Sequence, residues 1–134
     1  MSLLTDLIGL GMPPEQANVL STFSITSAPA LSSSGSLTAT GTTITDALAL
    51  TSFINLVGTT ALSTGVKLPD VQIGGIVVVQ NNGVNALNVF PHSTLGTLNG
   101  GTAGAAVTCA AAAGNICIKR SSTDWLVYVV AKES

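Results

Sequence analysis

The chain has 134 residues, 46% of them hydrophobic and only 7% charged, with a formal net charge of −2; an ordinary soluble domain is about 25% charged. That length fits one domain with a buried core, and the four basic residues, of which only Lys119 and Arg120 are adjacent, exclude the clustered positive surface that nucleic-acid binding needs. Gly, Pro, Asn or Ser breaks every apolar run well short of the roughly 20 residues of a spanning helix, so no membrane helix is expected.

At the N-terminus Leu3, Leu4, Leu7 and Ile8 fall at the i, i+3, i+4 spacing of one helical face, with Ser2 as N-cap and Gly9 and Gly11 as stops. Pro13, Pro14 and Glu15 suit the first turn of a second helix that carries Ala17, Val19 and Leu20. Residues 1–20 therefore read as a short helical arm. Helices this short are marginal alone in water, so Leu3, Leu4, Leu7 and Ile8 are expected to bind a partner surface. The segment has no basic leader and carries Asp6, which makes it a poor signal peptide, and the chain is expected to be used as made. Residues 21–36, with Ser32, Ser33, Ser34 and Gly35 in a row, read as an extended linker.

Residues 37–134 form the body. β signals recur there at Leu37 to Thr40, Thr43 to Leu50, Phe53 to Val57, Val66 to Leu68, Gly75 to Gln80, Asn85 to Phe90, Ala105 to Cys109, Asn115 to Arg120 and Trp125 to Ala131. Short strands separated by turn residues predict an all-β body, a sandwich or barrel of jelly-roll type. Asn81, Asn82 and Gly83 predict a tight hairpin between the strands on either side, because Asn and Gly tolerate positive φ. Ile76 to Val79 and Leu126 to Val130 are apolar without alternation, so both of their faces should be covered. A second sheet would cover one face and a sister subunit the other, making Val77, Val79, Trp125 and Tyr128 candidate oligomer contacts. The alternative is that such a strand is central in a well-filled barrel.

Signals for chemistry are sparse. His92 lies in a Ser-, Thr- and Gly-rich stretch with no acid-base partner nearby in sequence and reads as a surface-loop residue. Asp46, Asp70 and Asp124 are the only carboxylates of the body before Glu133, and their placement suits turn caps better than a hydrolytic pair. No Gly-x-Ser-x-Gly elbow occurs, and the Gly-rich pieces lack the Lys and helix of a phosphate loop. Cys109 and Cys117 would face each other across a hairpin tip at 110–116, where a disulfide is open; without a secretion signal the preferred reading is two reduced, small apolar side chains. Two cysteines and one distant histidine are too few for a zinc site. Neither a cofactor nor a small-molecule substrate is called for.

The stretches Gly65-Val66-Lys67-Leu68-Pro69, Gly75-Ile76-Val77-Val78-Val79-Gln80-Asn81, Asn85-Ala86-Leu87-Asn88-Val89-Phe90-Pro91 and the closing Trp125 strand resemble a small β module of tailed-bacteriophage virion proteins. The resemblance spans roughly 37–130 and is most like capsid decoration, or cement, proteins. It implies a homotrimer on the capsid surface that binds the major capsid protein and stabilises the expanded head. It also implies that the Val run and the Asn-Ala-Leu-Asn-Val run form a hairpin. Such a protein would be made in the bacterial cytoplasm and act in the virion, without catalysis. A tail-fibre or receptor-binding β domain is the alternative; the chain lacks the repeats or heptads of a trimerising shaft. A carbohydrate-active enzyme acting through Asp70 or Asp124 is a third reading.

Overall fold

The computed structural model describes residues 36–131. The arm with Leu3, Leu4, Leu7 and Ile8, and the linker up to Gly35, lie outside the described residues. Within them the protein is all β: β1 (Leu37–Thr38), β2 (Leu48–Ala49), β3 (Ile54–Thr59), β4 (Gly65–Lys67), β5 (Ile76–Asn81), β6 (Leu87–Phe90), β7 (Thr97–Leu98), β8 (Val107–Cys109), β9 (Ala113–Lys119) and β10 (Asp124–Ala131).

The strands form a six-stranded sheet ordered β1-β3-β5-β9-β10-β7 and a four-stranded sheet ordered β2-β4-β6-β8. From β1 to β6 the chain alternates strictly between the two sheets, and neighbours within each sheet are parallel. The result is three stacked coils, a solenoid-like arrangement and not a jelly roll. Of the unbroken Val run of β5, which pairs parallel with β3, Val77 and Val79 are fully buried and Val78 is half-buried. Backbone bonds tie coil to coil outside the strands as well: Ala39 N donates to Thr59 O at 2.9 Å, Leu50 N to Lys67 O at 2.9 Å and Leu68 N to Phe90 O at 3.0 Å. The last part of the chain reverses direction. β8 pairs antiparallel with β6, β9 antiparallel with β5, and β10 antiparallel with β9.

The predicted hairpin at Asn81-Asn82-Gly83 is a corner between sheets. β5 and β6 never pair, and neither Asn82 nor Gly83 takes the positive φ of a tight hairpin turn. Side-chain chemistry holds the corner. Buried Asn81 donates from Nδ2 to the carbonyls of Asn85 (2.9 Å), Cys109 (3.0 Å) and Ala110 (3.2 Å), while its Oδ1 accepts from Gly83 N at 2.9 Å. Thr60, at the equivalent corner of the preceding coil, exchanges bonds with the backbone of Asn85. A Cβ on Gly83 would overlap the Thr60 side chain, so the close stacking of the two corners requires glycine there.

Three other expectations shift for local reasons. Thr43 to Leu50 shrinks to β2 because Asp46 Oδ1 accepts from the amides of Thr42 (3.1 Å) and Thr43 (2.7 Å) and closes a turn. β7, absent from the predicted strands, ends at Asn99 and Gly100, both with positive φ. Residues 110–112 carry the chain from one sheet to the other, with Ala112 at positive φ, so no hairpin tip faces Cys109 toward Cys117. Both are buried free thiols, and burial pushes the Cys117 thiol up to about 12.

The core lies between the sheets. Val57, Val66, Leu68, Val77, Val79, Leu87, Val89, Cys109, Cys117 and Trp125 are all at or below 1% exposure. Each fully buried Val or Leu contributes roughly 1.5–3 kcal/mol.

Candidate functional site

The six-stranded sheet has two faces, both rich in apolar side chains, with different surroundings. Val77 and Val79 of β5, Cys117 of β9, and Trp125 and Val127 of β10 point inward and are buried. This corrects three of the four candidate contacts: Val77, Val79 and Trp125 are spent on the subunit's own core and offer a sister subunit nothing to touch. Tyr128 is 54% exposed and faces the other way. Burial alternates strictly along β5, so the body itself covers one face of the strand and leaves the other partly exposed.

The outward face follows from the register. Ile76 lies beside Ile118, which lies beside Leu126. In the next row Ile54, Val78, Ile116 and Tyr128 run across four strands. The third row is Leu56, Gln80, Gly114 and Val130. Nine apolar side chains thus share one face without a charged group. Leu56 (37%), Ile76 (40%), Tyr128 (54%) and Val130 (46%) are the most exposed, and the others are half-buried by their neighbours. The Arg120–Asp124 ion pair borders the face at one end. A contiguous apolar patch with a polar border marks an interaction surface.

A second cluster forms where the coils stack the ends of several strands. The Trp125 indole N–H donates to His92 Nδ1 at 3.0 Å, and His92 Nε2 lies 3.9 Å from Asp70 Oδ1. The Lys119 ammonium pairs with the same oxygen. The His92 side chain is 9% exposed, which corrects its reading as a partnerless surface-loop residue. Burial lowers its pKa, and the Lys119 charge adds to this against the opposing pull of Asp70. The Lys119 hydrogen bond and charge hold the Asp70 carboxyl below the usual range. Trp125 fixes the tautomer, leaving the proton on Nε2 toward Asp70. Neither ring nitrogen is then free to take a proton from a substrate, and the cluster works as a pin between the start of β10 and the loop after β6. Asp70 and His92 are far in sequence from each other and from Lys119 and Trp125, and no local spacing announces the cluster.

Asp46 sits as a turn cap, as its placement in sequence suggested; Asp70 instead pairs with Lys119, and Asp124 is the first residue of β10 with its carboxylate turned toward β7. Asp124 accepts from Thr97 Oγ1 and Gly100 N and pairs with Arg120. Among the described residues no group of three or more His, Cys, Asp or Glu side chains could hold a metal ion, and no helix is long and apolar enough to cross a membrane. Comparison with protein-family models, curated proteins and solved structures gives no match.

Proposed function

We propose that this chain is a non-catalytic structural subunit of a tailed-bacteriophage virion, a homotrimeric decoration protein that binds the outside of the major capsid lattice and stabilises the expanded head. The observation that carries the reading is the uncharged apolar face of the six-stranded sheet. A face of nine apolar side chains left to water is costly at about 25 cal/mol per Å², and sister copies presenting the same uncharged face cover it without charge conflict. The face supplies the need for sister subunits; the number three comes from the resemblance of the β body to decoration proteins.

Cementing requires no bond chemistry. A subunit that binds the expanded lattice and not the immature one stabilises the expanded state by its differential affinity. Three linked copies strengthen weak single contacts by raising the effective concentration of the second and third. Purified protein mixed with expanded, undecorated tailed-phage capsids is expected to co-sediment with them and to raise the temperature at which they open. Trimers that stay in the supernatant overturn the reading. The stacked parallel coils favour one second reading, a receptor-binding β domain; adsorption to host cells without capsid affinity is its signature.

A further inference from the structure

We infer that the free edge of β10 is a second self-association site, at which Val129 to Ala131 pairs antiparallel with the same residues of a second copy of this chain. The pairing is centred on Val130. It is independent of the apolar face and of the decoration role, because it uses backbone groups in the plane of the sheet and not side chains projecting from it.

The register of β10 identifies which groups are free. On the side away from β9, β7 pairs with Asp124 and Trp125 only. Asn99 N donates to Trp125 O at 2.7 Å; the Asn99 side chain then takes over from the strand, accepting from Val127 N at 2.8 Å and donating to Val127 O at 3.3 Å. The odd-numbered residues of β10 therefore turn their N–H and C=O toward this edge, and the even-numbered ones toward β9. After Val127 come Val129 and Ala131, whose edge-facing groups have no partner among the described residues. Their surroundings are open as well: Val129 is 67% and Val130 46% exposed.

Proteins normally blunt such an edge with a charge, a proline or a bulge. β10 has none of these from Trp125 to Ala131. An edge of this kind accepts an extended uncharged strand, and its own copy is one. With Val130 opposite Val130 across a two-fold axis, Val129 of each copy meets Ala131 of the other. All four free N–H and all four free C=O groups of the two copies then face a partner strand, giving two hydrogen-bonded residue pairs. Centring on Val129 would leave Ala131 opposite Val127, whose groups Asn99 already holds. A contact of this size lies well below the roughly 1,200 Å² of a stable interface, so it forms weakly in solution and strongly only where subunits are arrayed.

The register makes the test specific. At the centre of the pair Val130 is in a non-hydrogen-bonded position, where Cα atoms lie about 4.5 Å apart, within disulfide reach. Val130→Cys under mild oxidation is expected to give covalent two-chain products, while Tyr128→Cys, displaced from the axis, gives several-fold less. Adding Val129→Pro to Val130→Cys removes an edge-facing N–H that β9 does not use, and is expected to abolish the cross-link with an unchanged circular dichroism spectrum. Adding Ile116→Lys instead, which disrupts the apolar face, is expected to leave the cross-link intact. Equal cross-linking at 128 and 130, or cross-linking lost with Ile116→Lys, means face-to-face packing and overturns the proposal. So does a Val130→Cys protein that folds and stays uncross-linked.

Discussion

The inner and outer faces of the six-stranded sheet are both rich in apolar side chains and differ in what lies opposite; Val, Cys and Trp point inward beside buried Asn55, Asn81 and Asn115, and Ile54, Ile76, Ile116 and Ile118 all point outward. Inward, Val77, Val79, Cys117 and Trp125 meet the four-stranded sheet and are lost to solvent. Outward, Ile76, Val78, Ile116, Tyr128 and Val130 meet nothing among the described residues. Apolar character alone therefore does not separate a fold-forming face from an associating one. Parity along the strand does, once the register is known.

The largest effects are expected from two inward-facing side chains. Trp125→Ala removes a fully buried indole and strands the His92 acceptor, and is expected to cost about 3–5 kcal/mol, read as a lowered midpoint in urea. Inward-facing Asn115 has the opposite sign. It is fully buried between Val79 and Val129 in register, and both polar atoms of its side chain lack a hydrogen-bond partner. Asn115→Val is expected to stabilise the protein by about 1–3 kcal/mol, because an orphaned buried amide is replaced by an apolar group of similar size. Loss of stability in that variant would show that the amide finds partners on folding. Gly83→Ala, at the corner packed on Thr60, is expected to cost about 1–3 kcal/mol through overlap, with the register of both sheets retained.

A smaller effect is read against pH. His92 is the only histidine, and its lowered folded pKa means that the native state favours the neutral ring. The unfolded chain takes up a proton near its ordinary value of about 6.5, so this contribution is present above that pH and is lost as pH falls through the lowered folded value. Melting temperature is expected to fall between pH 7.5 and 5.5 in the wild type and to change much less in His92→Gln, which keeps an acceptor for Trp125. An equal fall in both would place the titration elsewhere. The smallest change in stability, about 1 kcal/mol or less, is expected for Ile116→Lys on the outer face.

Much of this was legible in the sequence. The all-β class, the approximate positions of most strands and the turn role of Asp46 follow from β-branched runs and punctuating turn residues. The parallel coils were not legible as such, although the unbroken Ile76 to Val79 run is the mark of a parallel strand. The Asn81-Asn82-Gly83 step misled because a hairpin and a sheet-to-sheet corner use the same residues; Asn81 chooses the corner by bonding to Cys109 and Ala110, far along the chain. The apolar patch was legible in kind and misplaced by one residue. Val77 and Val79 point inward, and Ile76 and Val78, their immediate neighbours, lie on the exposed face. The Trp125–His92–Asp70–Lys119 cluster exists only once the coils are stacked, and single-residue context around His92 carries no trace of it.

The mass of the protein in solution tests most directly whether the outer face is covered by sister subunits. Sedimentation equilibrium at micromolar concentration is expected to give three times the 13.3 kDa of one chain for the wild type, and a single-chain mass for a folded Ile116→Lys variant. A wild type that sediments as a single chain across that range contradicts the account.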